Sequence, residues 1–453
     1  MKNIAWLRSR KQIILLIVAD FIFLNLINIL CFKEIFLNSK VGYFETLINY
    51  ILYHLVWTCI SYVSGRYHFY QKKLLIDNFY YYFFLIFSPP FLFVFICDPV
   101  LNIFLSLNII DLFKISRFKF FLNLSIITFF IQLPFRILIL NFFKNKNKWF
   151  VLSDKVHFYD LKNWTKNNYK KISLSIIDSN NIKNLDLQRT EGVVIKSRSS
   201  LSTSDLNLIN QISSKGIDVI DSIVWCETFM QRLPSKLLIN NKSINTNLIS
   251  KHNRIELRVK RIGDVLLSFL IIILSSPFVL LALIIIKLED NGSLFYQQER
   301  VGKDGKIFKI TKLRTMKPDS EINGAAWSRK DDDRVTKIGK ILRKTRIDEI
   351  PQLISIISGD MSLIGPRPER LFFVKILEKE VPFFSRRTLI RPGLSGWAQV
   401  NYPYGASIKD SEIKLSYDLF YIRHFSIFLD FLILFKTIKL VFNLKGSTPG
   451  EEI

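Results

Sequence analysis

Two adjacent acids, Asp348 and Glu349, stand among Arg343, Lys344 and Arg346, with Arg367 further along the chain. A carboxylate pair ringed by cations suits a pyrophosphate substrate with a divalent metal. One acid can serve as nucleophile, either can ligate a metal, and guanidinium forks hold phosphate oxygens two at a time. The same residue types also form ordinary surface ion pairs, which contribute little. Neighbouring elements must therefore decide. Asp348-Glu349-Ile350-Pro351-Gln352-Leu353 reads as a helix start, since proline is tolerated in a first turn and Gly359 supplies a stop. Ile350, Leu353, Ile354 and Ile357 give one apolar face at helical spacing. The acids then lie at a helix N-terminus, whose partial positive charge keeps a carboxylate ionised and favours an arriving phosphate. Upstream, Phe295 to Val301 and Ile307 to Leu313 flank Asp304-Gly305 and read as a hairpin. Strand alternation puts Phe308, Ile310, Lys312 and Arg314 on one face, so Lys312 and Arg314 can aim at one anion. Snorkelling at lipid headgroups is the competing use of these two side chains.

The elements that present this chemistry are tied to a membrane. The chain has 453 residues, enough for two or three domains, and its first third is far more apolar than a soluble domain. Residues 13–30, 47–62, 79–96 and 120–143 each approach the ~20 apolar residues of a spanning helix. Gln132, Pro134 and Arg136 in the fourth would face other helices and not lipid. No small-residue cleavage site follows the first segment, which argues against a signal peptide. Lysines and arginines crowd the N-terminus, the second loop and the stretch after residue 143, so the N-terminus and everything beyond Lys144 are expected in the cytoplasm. The net charge of +25 is concentrated at the ends of apolar segments and around the acid pair. Membrane lipids and phosphate substrates explain that pattern without nucleic acid. Four dispersed cysteines and five scattered histidines offer neither a disulfide frame nor a zinc site.

The fold class expected is a membrane protein, α plus α/β. Residues 1–148 form the four-helix transmembrane region. Residues 149–240 form a small parallel α/β, Rossmann-like domain, with strands near 149–152, 172–177, 193–196 and 217–223 and a helix at 204–214. Its first strand-to-helix turn lacks the glycines of a dinucleotide fingerprint, so a regulatory or packing role is favoured there. Residues 241–258 form a polar linker, and 259–453 an α+β catalytic domain. Within the last, 265–286 could cross a bilayer, but Ser275-Ser276-Pro277 interrupts its middle and both flanks are basic. A fifth crossing would also put Asp348 outside the cell. A helix-break-helix at Ser276 and Pro277 that dips into one leaflet and returns is therefore expected. Residues 421–444 read as an interfacial amphipathic helix.

From about Val259 to Leu444 the chain resembles the bacterial sugar transferases, the polyprenyl-phosphate glycosyl-1-phosphate transferases with one re-entrant helix. The resemblance rests on several runs in a single order. They are Lys260-Arg261-Ile262-Gly263-Asp264, Ser276-Pro277, Gln298-Glu299-Arg300-Val301-Gly302 and Lys312-Leu313-Arg314-Thr315-Met316, then the Asp348 to Leu353 run, Gly359 to Glu369 and Arg391 to Asn401. The region before them is similar to the larger members, which carry four spans and an α/β module. The resemblance implies transfer of a sugar 1-phosphate from a nucleotide diphosphate sugar, usually a UDP-sugar, to undecaprenyl phosphate. That reaction begins exopolysaccharide, capsule or O-antigen assembly at the cytoplasmic face of the bacterial inner membrane. It implies Asp348 as nucleophile forming a phosphosugar-enzyme intermediate, Glu349 beside it, and Mg2+ held by Asp348 and Glu349. It further implies Arg343 as a phosphate ligand and Pro366, Arg367 and Pro368 at the substrate, to which the strand reading adds Lys312 and Arg314 as substrate-binding residues. Whether the protein is a homodimer, and which sugar it transfers, stay open. Two alternatives remain: an Asp-x-Asp glycosyltransferase built on Asp331-Asp332-Asp333, and a non-enzymatic membrane scaffold.

Overall fold

The computed structural model describes residues 148–152, 173–177, 190–196, 203–214 and 217–239, then 254–290, 292–317, 332–402, 405 and 407–442, with short pieces elsewhere, chiefly 17–26, 51–58 and 121–128. The chain divides into two compact units, Met1–Ile220 and Asp221–Ile453.

Before residue 148 the described helical pieces fall within the expected spans, except Phe118 and Lys119, which stand just ahead of the fourth. Leu24, Tyr53, Trp57, Val94, Phe121 and Leu124, drawn from all four segments, form one buried cluster. Polar groups inside it are paired: the Trp57 indole N–H donates to Asp20 Oδ2 at 3.2 Å, and the Tyr53 hydroxyl donates to the Phe121 carbonyl at 3.1 Å. Burying such groups unpaired would be costly. The full lengths of the four spans, the basic loops that orient them and the linker up to residue 253 lie outside the described residues.

The α/β module follows the expected order. Strands β1 (Lys148–Leu152), β2 (Ser173–Ile176) and β3 (Thr190–Ile195) precede helix α1 (Thr203–Ser214) and strand β4 (Asp218–Asp221). The sheet order is β2-β1-β3-β4, and β1 pairs with both β2 and β3 in parallel. Val193, Ile195, Ile209, Ile212 and Ile217 join strand and helix faces in one core.

The second unit begins earlier than the composition implied. Residues 222–239, read from the sequence as the end of the α/β domain, pack on the C-terminal helices. The Trp397 indole donates to the Gln231 carbonyl at 2.8 Å, the Leu233 amide donates to the Ser416 carbonyl at 2.7 Å, and Arg423 pairs with Glu227 at 3.1 Å. Next comes α2 (Arg254–Asp290), then β5 (Phe295–Val301) and β6 (Ile307–Leu313), an antiparallel hairpin about Asp304-Gly305 as expected. Asp304 and Gly305 both have positive φ, 54° and 78°. Helices α3 (Lys337–Thr345) and α4 (Leu353–Ser358) lead to β7 (Ser362–Ile364) and α5 (Leu371–Glu380). Strand β8 (Gly393–Ser395) pairs with β7 in parallel, and α6 (Trp397–Asn401), α7 (Ile408–Arg423) and α8 (Ile427–Phe442) complete the unit. At the β7–β8 crossing the backbones touch: a Cβ on Gly393 would stand 2.0 Å from the Gly365 nitrogen, so only glycine fits.

Helix α2 departs from expectation. In place of two helices and a break it is one uninterrupted helix of 37 residues with Pro277 inside. The reason lies in the serines. Pro277 has no amide to offer the Ile273 carbonyl, and the Ser276 hydroxyl donates to that same oxygen at 2.8 Å. Ser275 donates likewise to the Ile271 carbonyl at 2.6 Å. Both ends of α2 are bound to the second unit. At the first end Lys260 pairs with Asp430 at 2.6 Å, and Asp264 accepts from the Ser362 hydroxyl at 2.7 Å and the Leu363 amide at 3.2 Å. At the other end Ala282 and Ile286 pack with Leu313 and Leu342. Between them, from Phe269 to Leu281, no side chain is buried. Among the described residues α2 holds the one helix long and apolar enough to cross a membrane.

The stretch 421–444, read as one helix, is two pieces. Tyr421 and Ile422 are buried at the end of α7, and α8 begins only at Ile427.

Candidate active site

The acid pair is presented by a tight sequence of turns. Helix α3 is capped at its start by Thr336, whose side chain accepts from the Gly339 amide at 2.9 Å. It ends on Arg346, which adopts the left-handed conformation with φ 61°. That residue reverses the chain into a 3₁₀ turn, Ile347–Gln352, which carries both acids and leads directly into α4. Gly359, at φ 100°, ends α4 as expected. Arg261 on α2 donates to the Ile357 carbonyl at 2.7 Å, so the long apolar helix caps the helix that follows the acids. The tighter 3₁₀ winding alters the buried face. Leu353 and Ile356 are fully buried, while Ile354, expected inside, is 66% exposed.

The two carboxylates have opposite surroundings. Glu349 Oε1 accepts from Lys312 Nζ at 2.8 Å and from Arg367 at 2.7 Å, and Arg346 stands 3.5 Å from Oε2. Burial opposes its ionisation, but these three cations overcome that cost and hold its carboxyl well below the usual range. Asp348 is also buried, and its Oδ1 has no hydrogen-bond partner. Burial first, and the Glu349 charge second, push its pKa up to about 6, against the pull of Lys312, Arg343 and Arg346. Burial also lowers the Lys312 pKa, and the Glu349 carboxylate counters that. Two acids thus sit among four cations, Lys312, Arg343, Arg346 and Arg367. The surplus of positive charge is suited to a diphosphate.

Most of the expected residues converge. Lys312, Arg367, Asp348 and Glu349 meet directly, with Pro366 and Pro368 buried on either side of Arg367. Arg343 acts on Asp348 and is steadied by the Thr315 hydroxyl, which accepts from its Nε at 2.9 Å. Arg314 is placed differently: its guanidinium lies over Gly292, where a Cβ would fall 1.8 Å from it. Asp332 of the Asp-x-Asp run is bonded twice by Arg334, at 2.7 and 2.6 Å, within a turn, and Asp331 lies outside the described residues. Ser276 and Pro277 lie in the exposed middle of α2, not among the charged groups. Sequence reasoning gave no role to Thr315, Arg300 or Arg387. Arg300 pairs with Glu369 at 3.9 Å, and Arg387 with Asp418 at 3.0 Å. Arg387 stands in no periodic or motif pattern, so only tertiary structure shows it. A small cleft opens at Arg367, lined also by Pro366, Pro368, Phe384, Arg387 and Thr388.

This arrangement can do phosphoryl-transfer chemistry: a buried, unbonded carboxylate beside a fixed one, within a cationic frame. Residues 255–444 match the family model for bacterial sugar transferases. A UDP-N-acetylgalactosamine-undecaprenyl-phosphate N-acetylgalactosaminephosphotransferase of Aeromonas hydrophila is 47% identical over 189 residues, 42% of this chain and 45% of that protein. A UDP-glucose:undecaprenyl-phosphate glucose-1-phosphate transferase of Escherichia coli is 35% identical over 182 residues, 40% of this chain and 39% of that protein. Thus the chain spans less than half the length of each of these two. The exopolysaccharide production protein PSS of Rhizobium leguminosarum is 35% identical over 189 residues, which is 40% of this chain but 94% of that protein. The chain belongs to the bacterial sugar transferase family.

Asp348 titrates in a window that can be measured. Folding raises its pKa above its ordinary 3.8, so its contribution to stability is present while it is protonated, below about 4. That contribution is lost as pH rises through about 6. At pH 8 Asp348→Asn is therefore expected to unfold at higher temperature than the native protein, by about 1–3 kcal/mol of stability, with the gain shrinking towards pH 4. Thermal melts of the two proteins across pH check this, and an equal difference at all pH values would contradict it.

Proposed function

We propose that this chain transfers a sugar 1-phosphate from a nucleotide diphosphate sugar, of the UDP type, to undecaprenyl phosphate, beginning assembly of a surface polysaccharide. The observation that carries this reading is the division between the two acids. Asp348 has an unbonded oxygen ready to attack, while Glu349 is occupied by three cations. The ionised Asp348 attacks the β-phosphorus of the donor. The bond from that phosphorus to the bridging oxygen breaks, and UMP leaves with the electron pair. The sugar phosphate is then held on Asp348 as an acyl phosphate, a mixed anhydride of the carboxyl and phosphate groups. An oxygen of the lipid phosphate attacks the same phosphorus and displaces the carboxylate, giving undecaprenyl-diphosphate-sugar and the free enzyme. Arg343 and Arg367 hold phosphate oxygens and balance the charge that moves onto the leaving group. Glu349 stays ionised throughout and keeps Lys312 and Arg367 on the reacting side.

Magnesium fits these residues in one specific way. No group of three or more metal-ligating side chains occurs among the described residues. Mg2+ is commonly held by one or two carboxylates together with substrate phosphates. The unbonded Asp348 Oδ1 fits that pattern, and Glu349, whose oxygens face Lys312, Arg367 and Arg346, would join it only by giving up one of those contacts. When bound with the donor, the ion would neutralise pyrophosphate charge.

The same reading places the second unit on the cytoplasmic face of the bacterial inner membrane, with α2 dipping into one leaflet. A straight helix of 37 residues is about 55 Å long, far more than a ~30 Å hydrocarbon core requires. Support comes from its two ends, each of which has residues packed on one globular unit, whereas from Phe269 to Leu281 no side chain is buried. A bilayer-crossing helix would send its ends to opposite sides. The four N-terminal segments make the protein multi-pass.

Two measurements test this. Membranes containing the protein, given undecaprenyl phosphate and a panel of UDP-sugars, are expected to release UMP, and Asp348→Asn is expected to release none above background. Release of UDP would favour a glycosyltransferase instead. Single cysteines in the 302–305 turn are expected to react with an impermeant reagent only after the cytoplasmic side is opened. Labelling from outside intact cells would exclude the dip.

A further inference from the structure

The run Pro366 to Glu369 has no regular secondary structure, and two of its four residues have no amide hydrogen. It cannot be held by a strand ladder. It is held by its oxygens. The Pro366 carbonyl accepts from the Gly393 amide at 2.9 Å and the Glu369 carbonyl from the Val301 amide at 2.9 Å. The two carbonyls between them accept from side chains: Arg367 from Arg387 at 2.8 Å, and Pro368 from Arg300 at 3.1 Å. Four consecutive carbonyls are thus pinned from three places: Gly393, Arg387, and the neighbours Arg300 and Val301 at the end of β5.

The two arginines are themselves fixed. The Glu369 carboxylate faces both, at 3.6 Å from Arg387 and 3.9 Å from Arg300. Arg387 also pairs with the buried Asp418 at 3.0 Å, and its guanidinium stacks 5.0 Å from the Phe384 ring centre. Both arginines are largely buried and directed at main-chain oxygens. Arg367, inside the run, extends its own guanidinium to Glu349. Its backbone is narrowed further by the proline that follows it.

We propose that Arg300 and Arg387 are positioning residues of this site: they grip the Pro366-Arg367-Pro368 run by its carbonyl oxygens and so aim Arg367 at Glu349 and at the donor's phosphates. This rests on the proposed transferase reading. The chemistry they serve is recognition of a diphosphate by Arg367, and neither arginine need touch substrate. Arginine suits the task because one planar fork can reach a carbonyl and two carboxylates at once, whereas a lysine offers a single point charge.

A double-mutant cycle on the full-length protein in membranes separates positioning from general damage. In the native background Arg387→Met is expected to lower kcat/KM for the UDP-sugar about tenfold, mostly by raising KM, and Arg387→Lys is expected to recover little of it. In an Arg367→Met background the same Arg387→Met change should cost less than about twofold, because there is no guanidinium left to aim. Arg300→Met provides a second arm should Arg387→Met, which strands buried Asp418, fail to fold. Its acid partner Glu369 is 29% exposed, and the same collapse of the effect is expected. Losses that multiply in full across both backgrounds would overturn the proposal while leaving the transferase reading intact. A native protein that releases no UMP would remove that reading and this proposal with it.

Discussion

The site depends on one unequal arrangement of charge. Glu349 is gripped by Lys312 and Arg367, with Arg346 close by, while the residue before it keeps a buried oxygen unbonded. Adjacent acids in one environment would share their protons and their partners. Here the left-handed Arg346 and the 3₁₀ turn direct the two side chains differently, so one is a fixed anion and the other keeps an oxygen without a hydrogen-bond partner. The cost is borne in folding: Asp348 is ionised at neutral pH in a place where burial disfavours it. Sites that do chemistry commonly retain such unfavourable groups.

The surrounding fold links that arrangement to the long apolar helix α2. Arg261 of α2 caps α4, Asp264 of α2 anchors β7, and the far end of α2 packs under β6 and α3 through Leu313 and Leu342. Every element that carries a charged residue of the site is therefore within one or two contacts of α2. A catalyst for a soluble donor and a lipid-borne acceptor needs its reacting group at a fixed depth beside the bilayer, and this bonding would supply it.

Much of this was legible in the chain, for identifiable reasons. The acid pair, its ring of cations and the stop at Gly359 are local in sequence, and so is the Asp304-Gly305 hairpin. The strands and helix of the α/β module also fell near their expected places, because apolar runs between polar breaks are a local signal. What escaped was what tertiary contacts decide. Ile354 fits a helical apolar face, yet the 3₁₀ turn before α4 leaves it outside. Pro277 signals a break, but Ser276 supplies the carbonyl's missing donor and α2 continues. Residues 222–239 look like an α/β tail until Trp397 and Ser416 are seen to bind them. Arg300 and Arg387 act through main-chain oxygens of a distant run, which no residue spacing encodes.

The division of labour between the two acids can be observed on the protein itself. Membranes holding the native chain would be given a UDP-sugar but no lipid phosphate, quenched in acid, digested and mapped by mass spectrometry. The account predicts a sugar-phosphate mass on the peptide containing Asp348, with fragmentation placing it on that residue. The same mass on Glu349, or release of UMP from donor and acceptor together with no carboxyl adduct at any stage of turnover, would contradict it.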